Sequence, residues 1–158
     1  MSGTPSPKPF SWEYRPVALA KEAFHISGGR PLSGSVRVSG AKNAALKMMA
    51  ASVLTGERLH LDNVPEILDI EVLRDTLRDL GVAVERGSDG GMDLTAGDVE
   101  WLFVPLEAAA KMRASFMLLG PLLARFGRVI ISNPGGDRIG RRPVNLHVDA
   151  MRALGAEI

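Results

Sequence analysis

"KNAALKMMAASVLTG" (residues 42–56) and "RASFMLLGPLLARFG" (residues 113–127) decide how this chain is read. Each is a basic residue followed by a nearly unbroken apolar run that closes on glycine, and both the starts and the ends lie 71 residues apart. Apolar runs of this length predict helices that other elements enclose on all sides. After each glycine comes a short strand-like run, "RLHLDN" (58–63) or "RVIISN" (128–133), then a loop, then an amphipathic helix ending on Leu-Gly. The first of these helices has Ile70, Leu73, Leu77 and Leu80 on one face; the second has Val144, Val148, Met151 and Leu154. A helix with a single apolar stripe lies on a surface, so each unit of this internal repeat offers one inner and one outer helix.

The closing Leu-Gly pairs, at 80–81 and 154–155, are 74 residues apart, so the second unit has gained three residues. The gain is assigned to the stretch holding "NPGGDRIGRRP" (133–143), where Arg138, Arg141 and Arg142 surround one acid, Asp137. Glycine and proline make this stretch bend and keep it out of a sheet. A loop that elaborates a structural repeat is where functional insertions collect. The first unit closes with two further strand candidates, "VAVER" (82–86) and "MDLTA" (92–96), around the turn "GSDGG". The second reaches only "GAEI", so the chain reads as part of a longer protein. Ahead of the repeat, "HIS" and "SVRVS" predict two strands within residues 25–41, and the Ser/Pro-rich residues 1–24 read as a flexible tail.

Composition excludes whole classes of function. Nineteen basic and 18 acidic residues leave a net charge of +1, which argues against nucleic acid or a membrane surface as partner and makes any basic site local. No cysteine is present, which removes disulfides, thiolate metal sites and a thiol nucleophile; no metal site and no cofactor are expected. The N-terminal stretch lacks the apolar core of a secretory signal, and no apolar run approaches the roughly 20 residues of a membrane span, so a cytoplasmic location is expected.

Helix N-termini carry unpaired N–H groups and a positive dipole end, and ordinarily attract acids. Lys42 and Arg113 stand at matching helix starts against that rule. A pair of solvated basic residues is the plain reading. Matched violations beside an arginine-rich loop favour the other: Lys42, Arg113, Arg138, Arg141 and Arg142 converging on one anionic ligand, with phosphates the chemical class.

"SGAKNAALKMMAA" (39–51), "KMRASFMLLGPLLARFG" (111–127) and "PGGDRIGRRPVNLH" (134–147), in this order and spacing, resemble the enolpyruvyl transferase family, and the resemblance covers about residues 25–158. It implies an α/β fold, an inside-out α/β barrel of repeated strand-helix units with helices inside, incomplete in this chain. It also implies transfer of enolpyruvyl from phosphoenolpyruvate to the 3-hydroxyl of UDP-N-acetylglucosamine, with release of phosphate, the first committed step of peptidoglycan synthesis. By the same resemblance Lys42 and Asn43 contact phosphoenolpyruvate. Arg113, Arg142, Pro143, Val144, Asn145 and Leu146 hold the nucleotide sugar, with Pro143 suited to a first helical position. Asp69 falls where the family has a functionally important acid, although an acid in the first turn of a helix needs no further reason.

Two residues depart from the family pattern. Asp137 stands where most members carry the cysteine that delivers a proton to C3 of phosphoenolpyruvate and is alkylated by fosfomycin-type epoxides. A carboxyl can deliver that proton when a closed, partly dry site favours its protonated form, and it is a poor target for the epoxide. Asn145 stands where an aspartate is usual, and keeps an acceptor oxygen without the charge. The loop thus reads as a lid carrying its own acid. Three other readings stay open: the shikimate-phosphate branch of the family, whose motif resembles Gly-Ser-Lys-Ser where this chain has "SGAKNAAL", a non-catalytic nucleotide-sugar binding module, and a fragment that does not fold by itself and has no function.

Overall fold

The computed structural model describes residues 25–29, 31–100, 102–104, 113–133 and 143–158. The chain divides into two units, Met1–Val36 and Arg37–Ile158. In the first, the described residues form neither helix nor strand and are exposed throughout. The strands expected within 25–41 are not formed, and Ile26, Val36 and Val38 stand 89%, 90% and 81% exposed. An extended run needs a neighbour to take its ladder hydrogen bonds, and among the described residues no strand pairs with it.

The second unit begins with α1 (Lys42–Ala51), which tightens into a 3-10 turn over Ser52–Leu54. The Ser52 hydroxyl donates to the Met49 carbonyl at 2.7 Å, a local bond that competes with the helical ladder where the tightening starts. Then follow β1 (Arg58–Leu61), α2 (Leu68–Asp79), β2 (Ala83–Arg86) and β3 (Met92–Thr95). β3 lies between β1 and β2, antiparallel to both. Leu59, Leu94 and Val84 are in register on its inner face, and His60, Asp93 and Glu85 on its outer face. All three strands fall where the alternation of the sequence places them.

β4 (Phe103–Val104) escaped the sequence reading because two residues carry no alternation to detect. It pairs in parallel with β5 (Ile130–Ile131). The second apolar run is a 3-10 turn over Arg113–Leu118 that becomes α3 over Leu119–Phe126. Pro121 accounts for the change. It has no N–H for the Met117 carbonyl and its ring would clash there, so the α-helix starts late enough to place proline in its first turn. The last element is α4 (Asn145–Ala153).

The repeat is visible in how the outer helices end. After α2, Gly81 N–H bonds the Arg78 carbonyl and Val82 N–H the Leu77 carbonyl, both at 2.9 Å; after α4, Gly155 bonds Arg152 at 2.9 Å and Ala156 bonds Met151 at 3.0 Å. Both glycines are left-handed, with φ of 97° and 98°. A side chain on Gly81 would also strike the Asp98 carbonyl.

One core runs through both repeats. It takes Ala45, Leu46, Met49 and Ala50 from α1, Ile70, Leu73 and Leu77 from α2, Met92 and Leu94 from β3, and Leu118 and Leu122 from the second apolar run. α1 is buried on one face only, with Met48 44% exposed on the other. α4 carries its apolar face where expected, yet none of its residues is buried. Among the described residues no helix is long and apolar enough to cross a membrane.

Candidate functional site

Lys42 is the first residue of α1, and the chain arrives there through a tight passage. A side chain on Gly40 would strike the carbonyl of Asn63, itself held in the left-handed region at φ 52°. Glycine at this point is thus needed for close approach of two backbone segments. It brings the start of α1 beside the loop that leads into α2.

That approach brings Lys42 against an acid singled out in the sequence. Lys42 Nζ lies 2.6 Å from Oδ2 of Asp69, in the first turn of α2. The side chains are 49% and 36% exposed, so the pair is open to solvent. The sequence placed Asp69 in a helical first turn but held no signal for this partner, 27 positions away. Neither α1 nor α2 has a side-chain cap at its N-terminus. The positive ends of both helix dipoles therefore act on the same spot as the ammonium, and Asp69 answers them. Asn43, next along α1, is exposed.

Arg113 opens the 3-10 turn that packs on α1, so the two matched helix starts belong to contacting elements. Asp137, Arg138, Arg141 and Arg142 lie outside the described residues. The run 143–146 is described and forms the entrance to α4, with one correction. Pro143 precedes the helix by two positions; Val144 takes the N-cap place and Asn145 is the first helical residue. The N-cap carbonyl is used at once, since His147 and Val148 N–H both bond the Val144 carbonyl, at 3.0 and 3.1 Å. Asn145 and Leu146 are exposed, and Val144 borders a groove of about 760 Å³ shared with Phe116, Leu123, Asn133 and Val148. His147, which carried no functional reading, packs edge-on against Phe116 with ring centres 5.8 Å apart.

A second charged cluster was not foreseen. On the outer face of the sheet, Arg58 grips Asp93 with two hydrogen bonds, of 2.9 and 2.6 Å. His60 sets Nδ1 2.8 Å from Asp93 and Nε2 3.2 Å from Asp62. The Arg58 hydrogen bond, aided by that of His60, holds the Asp93 carboxyl down at about 2 from its ordinary 3.8. Hydrogen bonding to Asp93, then to Asp62, raises His60. The protonated ring donates to both carboxylates, and in that form it has no lone pair for proton abstraction or metal binding. Among the described residues no group of His, Asp and Glu is arranged to hold a metal ion.

Comparison with known proteins gives this geometry its context. The chain is 45% identical over 135 residues to a UDP-N-acetylglucosamine 1-carboxyvinyltransferase of Prochlorococcus marinus (strain NATL1A), an alignment covering 85% of this chain and 29% of the relative. It is 46% identical over 137 residues to the enzyme of the same name from Gluconobacter oxydans (strain 621H), covering 87% of this chain and 32% of that one. The chain thus spans about 30% of the length of the curated relatives it matches. Among solved structures, the enolpyruvyl transferase NikO from Streptomyces tendae superposes with a TM-score of 0.58 at 28% identity, over 63% of this chain and 23% of that one. EPSP synthase from Acinetobacter baumannii does so with a TM-score of 0.56 over 78% of this chain and 28% of that one, at 18% identity, a likeness of fold alone. The family model for EPSP synthase (3-phosphoshikimate 1-carboxyvinyltransferase) matches residues 26–158. The repeat of the backbone, the fold and this match agree: the chain belongs to the EPSP synthase family, the enolpyruvyl transferases.

Proposed function

We propose that this chain carries the phosphoenolpyruvate-binding and acid-delivering part of an enolpyruvyl transferase that acts on the 3-hydroxyl of UDP-N-acetylglucosamine, in peptidoglycan synthesis in the cytoplasm. The observation that carries the reading is the placement of Lys42 at the uncapped N-terminus of α1, with Asn43 exposed beside it. An ammonium, a helix dipole and an adaptable amide acting together suit a ligand that bears both phosphate and carboxylate. Arg113, Arg142, Pro143, Val144, Asn145 and Leu146 hold the nucleotide sugar in this reading.

Asp137 protonates C3 of phosphoenolpyruvate, which leaves C2 electron-poor and open to the sugar hydroxyl. The hydroxyl gives up its proton as its oxygen bonds C2; loss of a proton from C3 then restores the double bond as phosphate leaves from C2. Aspartate in place of a thiol keeps the proton donor and removes the soft nucleophile that an epoxide alkylates. The choice of acceptor follows the relatives, since those 44–46% identical to this chain are named for the UDP-sugar reaction.

Calorimetric titration of the chain with phosphoenolpyruvate, then with UDP-N-acetylglucosamine or shikimate 3-phosphate, tests this. Lys42→Ala is expected to weaken phosphoenolpyruvate binding by about 1.5–3 kcal/mol, the range for hydrogen bonds to charged groups. UDP-N-acetylglucosamine, and not shikimate 3-phosphate, is expected to bind. A loss below about 0.5 kcal/mol would return Lys42 to the class of solvated surface residues, and preference for shikimate 3-phosphate would overturn the acceptor.

A further inference from the structure

A lysine in the first turn of a helix opposes the helix dipole, and α1 has no acid in its first turn to offset it. The acid comes from the neighbouring helix: Asp69 of α2, 2.6 Å from the Lys42 ammonium. α2 also places Glu71 in its first turn, but it is Asp69 that makes the ion pair with Lys42. The pair is half open to water, at 49% and 36% exposure, so an incoming anion reaches the ammonium without the core opening. Ion pairs in such settings stabilise by only about 0.2–1 kcal/mol, little enough for a charged ligand to displace one.

We propose that Asp69 is a displaceable counter-ion. It occupies Lys42 while the site is empty, and a ligand anion must compete with it for the ammonium, so Asp69 lowers the affinity of every anion that binds there. This rests on the reading of Lys42 as the phosphoenolpyruvate contact. An oxygen of the phosphate or carboxylate takes over the bond that Asp69 Oδ2 makes, and the freed carboxylate turns to water.

The sign of one substitution separates this role from a bracing one. If Asp69 only braced Lys42, removing its charge would weaken anion binding; if it competes, removal tightens binding. The experiment follows the Lys42 side-chain signals in the 158-residue chain carrying ¹³C-labelled lysine, assigned with Lys42→Arg, during titration with inorganic phosphate and with phosphoenolpyruvate. Asp69→Asn is expected to bind both anions about two- to fivefold more tightly than the wild type, the reach of an exposed ion pair. Asp69→Glu, which restores the charge, is expected to return affinity toward the wild-type value. Equal or weaker binding by Asp69→Asn overturns the counter-ion role and leaves the anion reading of Lys42 standing. If neither anion moves the Lys42 signals in any of the three chains, both the counter-ion role and the anion reading fall.

Discussion

At the scale of single residues, His60 is held from both sides. Both of its ring nitrogens face carboxylate oxygens, Asp93 at 2.8 Å and Asp62 at 3.2 Å, and only the protonated ring donates to both. Arg58 adds its fork to Asp93 from the same strand, while Glu85 stands opposite Asp93 on β2. Two pH limbs follow from these contacts. Asp93 is lowered in the folded chain from 3.8 to about 2, so its contribution is present above about pH 4 and fades as pH falls toward 2. His60 is raised above 6.5, so its contribution is complete below that value and fades as pH climbs through the raised one. The cluster is therefore most stabilising between about pH 4 and pH 6.5. Urea midpoints measured from pH 2 to 9 are expected to fall on both sides of that window, and Asp93→Asn is expected to flatten both limbs. Parallel curves for the two proteins would show that the cluster is solvated and energetically silent, as many surface ion pairs are.

At the scale of elements, the junction between the repeats hangs on a residue that the hydrophobic pattern hides. Arg125 lies in the last turn of α3, inside a run that reads as apolar, yet its Nη1 donates to three carbonyls, of Val53 at 2.9 Å, Thr55 at 3.0 Å and Ala96 at 2.8 Å. These carbonyls belong to the end of the 3-10 turn after α1 and to the residue after β3, where helix and strand stop. The guanidinium also lies over the Phe126 ring at 4.9 Å. Arg125→Ala is expected to lower unfolding stability by about 1.5–3 kcal/mol, with Arg125→Lys recovering part of it, since an ammonium lacks the planar fork. A loss below about 0.5 kcal/mol in urea unfolding would mean that water replaces the clamp without penalty. Helix and strand existence was legible wherever apolar residues kept a period, as for α2 and for β1 to β3. The 3-10 start of the second apolar run was foreshadowed only by Pro121, and β4 was too short to show a period. The strands expected within residues 25–41 failed because alternation reports a wish for burial, not the presence of a partner strand.

At the scale of the molecule, the repeat seen in the sequence holds in the backbone but not in the burial. The two Leu-Gly closures share one hydrogen-bond pattern, and each outer helix carries its apolar stripe at the expected positions. The site was legible in part. Lys42 and Arg113 stand out by breaking the dipole rule, whereas the Lys42–Asp69 bond depends on the Gly40 approach to Asn63, which no local pattern encodes. Burial then separates the two halves. Ile70, Leu73 and Leu77 of α2 have no exposed surface, and the strand pair β2 and β3 closes over them, while α4 buries no residue and Leu154 at its end is 82% exposed. Packing of an amphipathic face supplies most of a helix's stability in a protein, because helices this short are marginal in water by themselves. α4 should therefore open locally without disturbing the core, whereas α2 should open only when the sheet does. In amide hydrogen exchange read by mass spectrometry, peptides from 68–79 are expected to exchange at least about a hundredfold more slowly than peptides from 145–153, equal to about 2.7 kcal/mol of extra opening free energy. Equal protection of the two helices would overturn this, and would mean that α4 draws its stability from contacts other than those that bury α2.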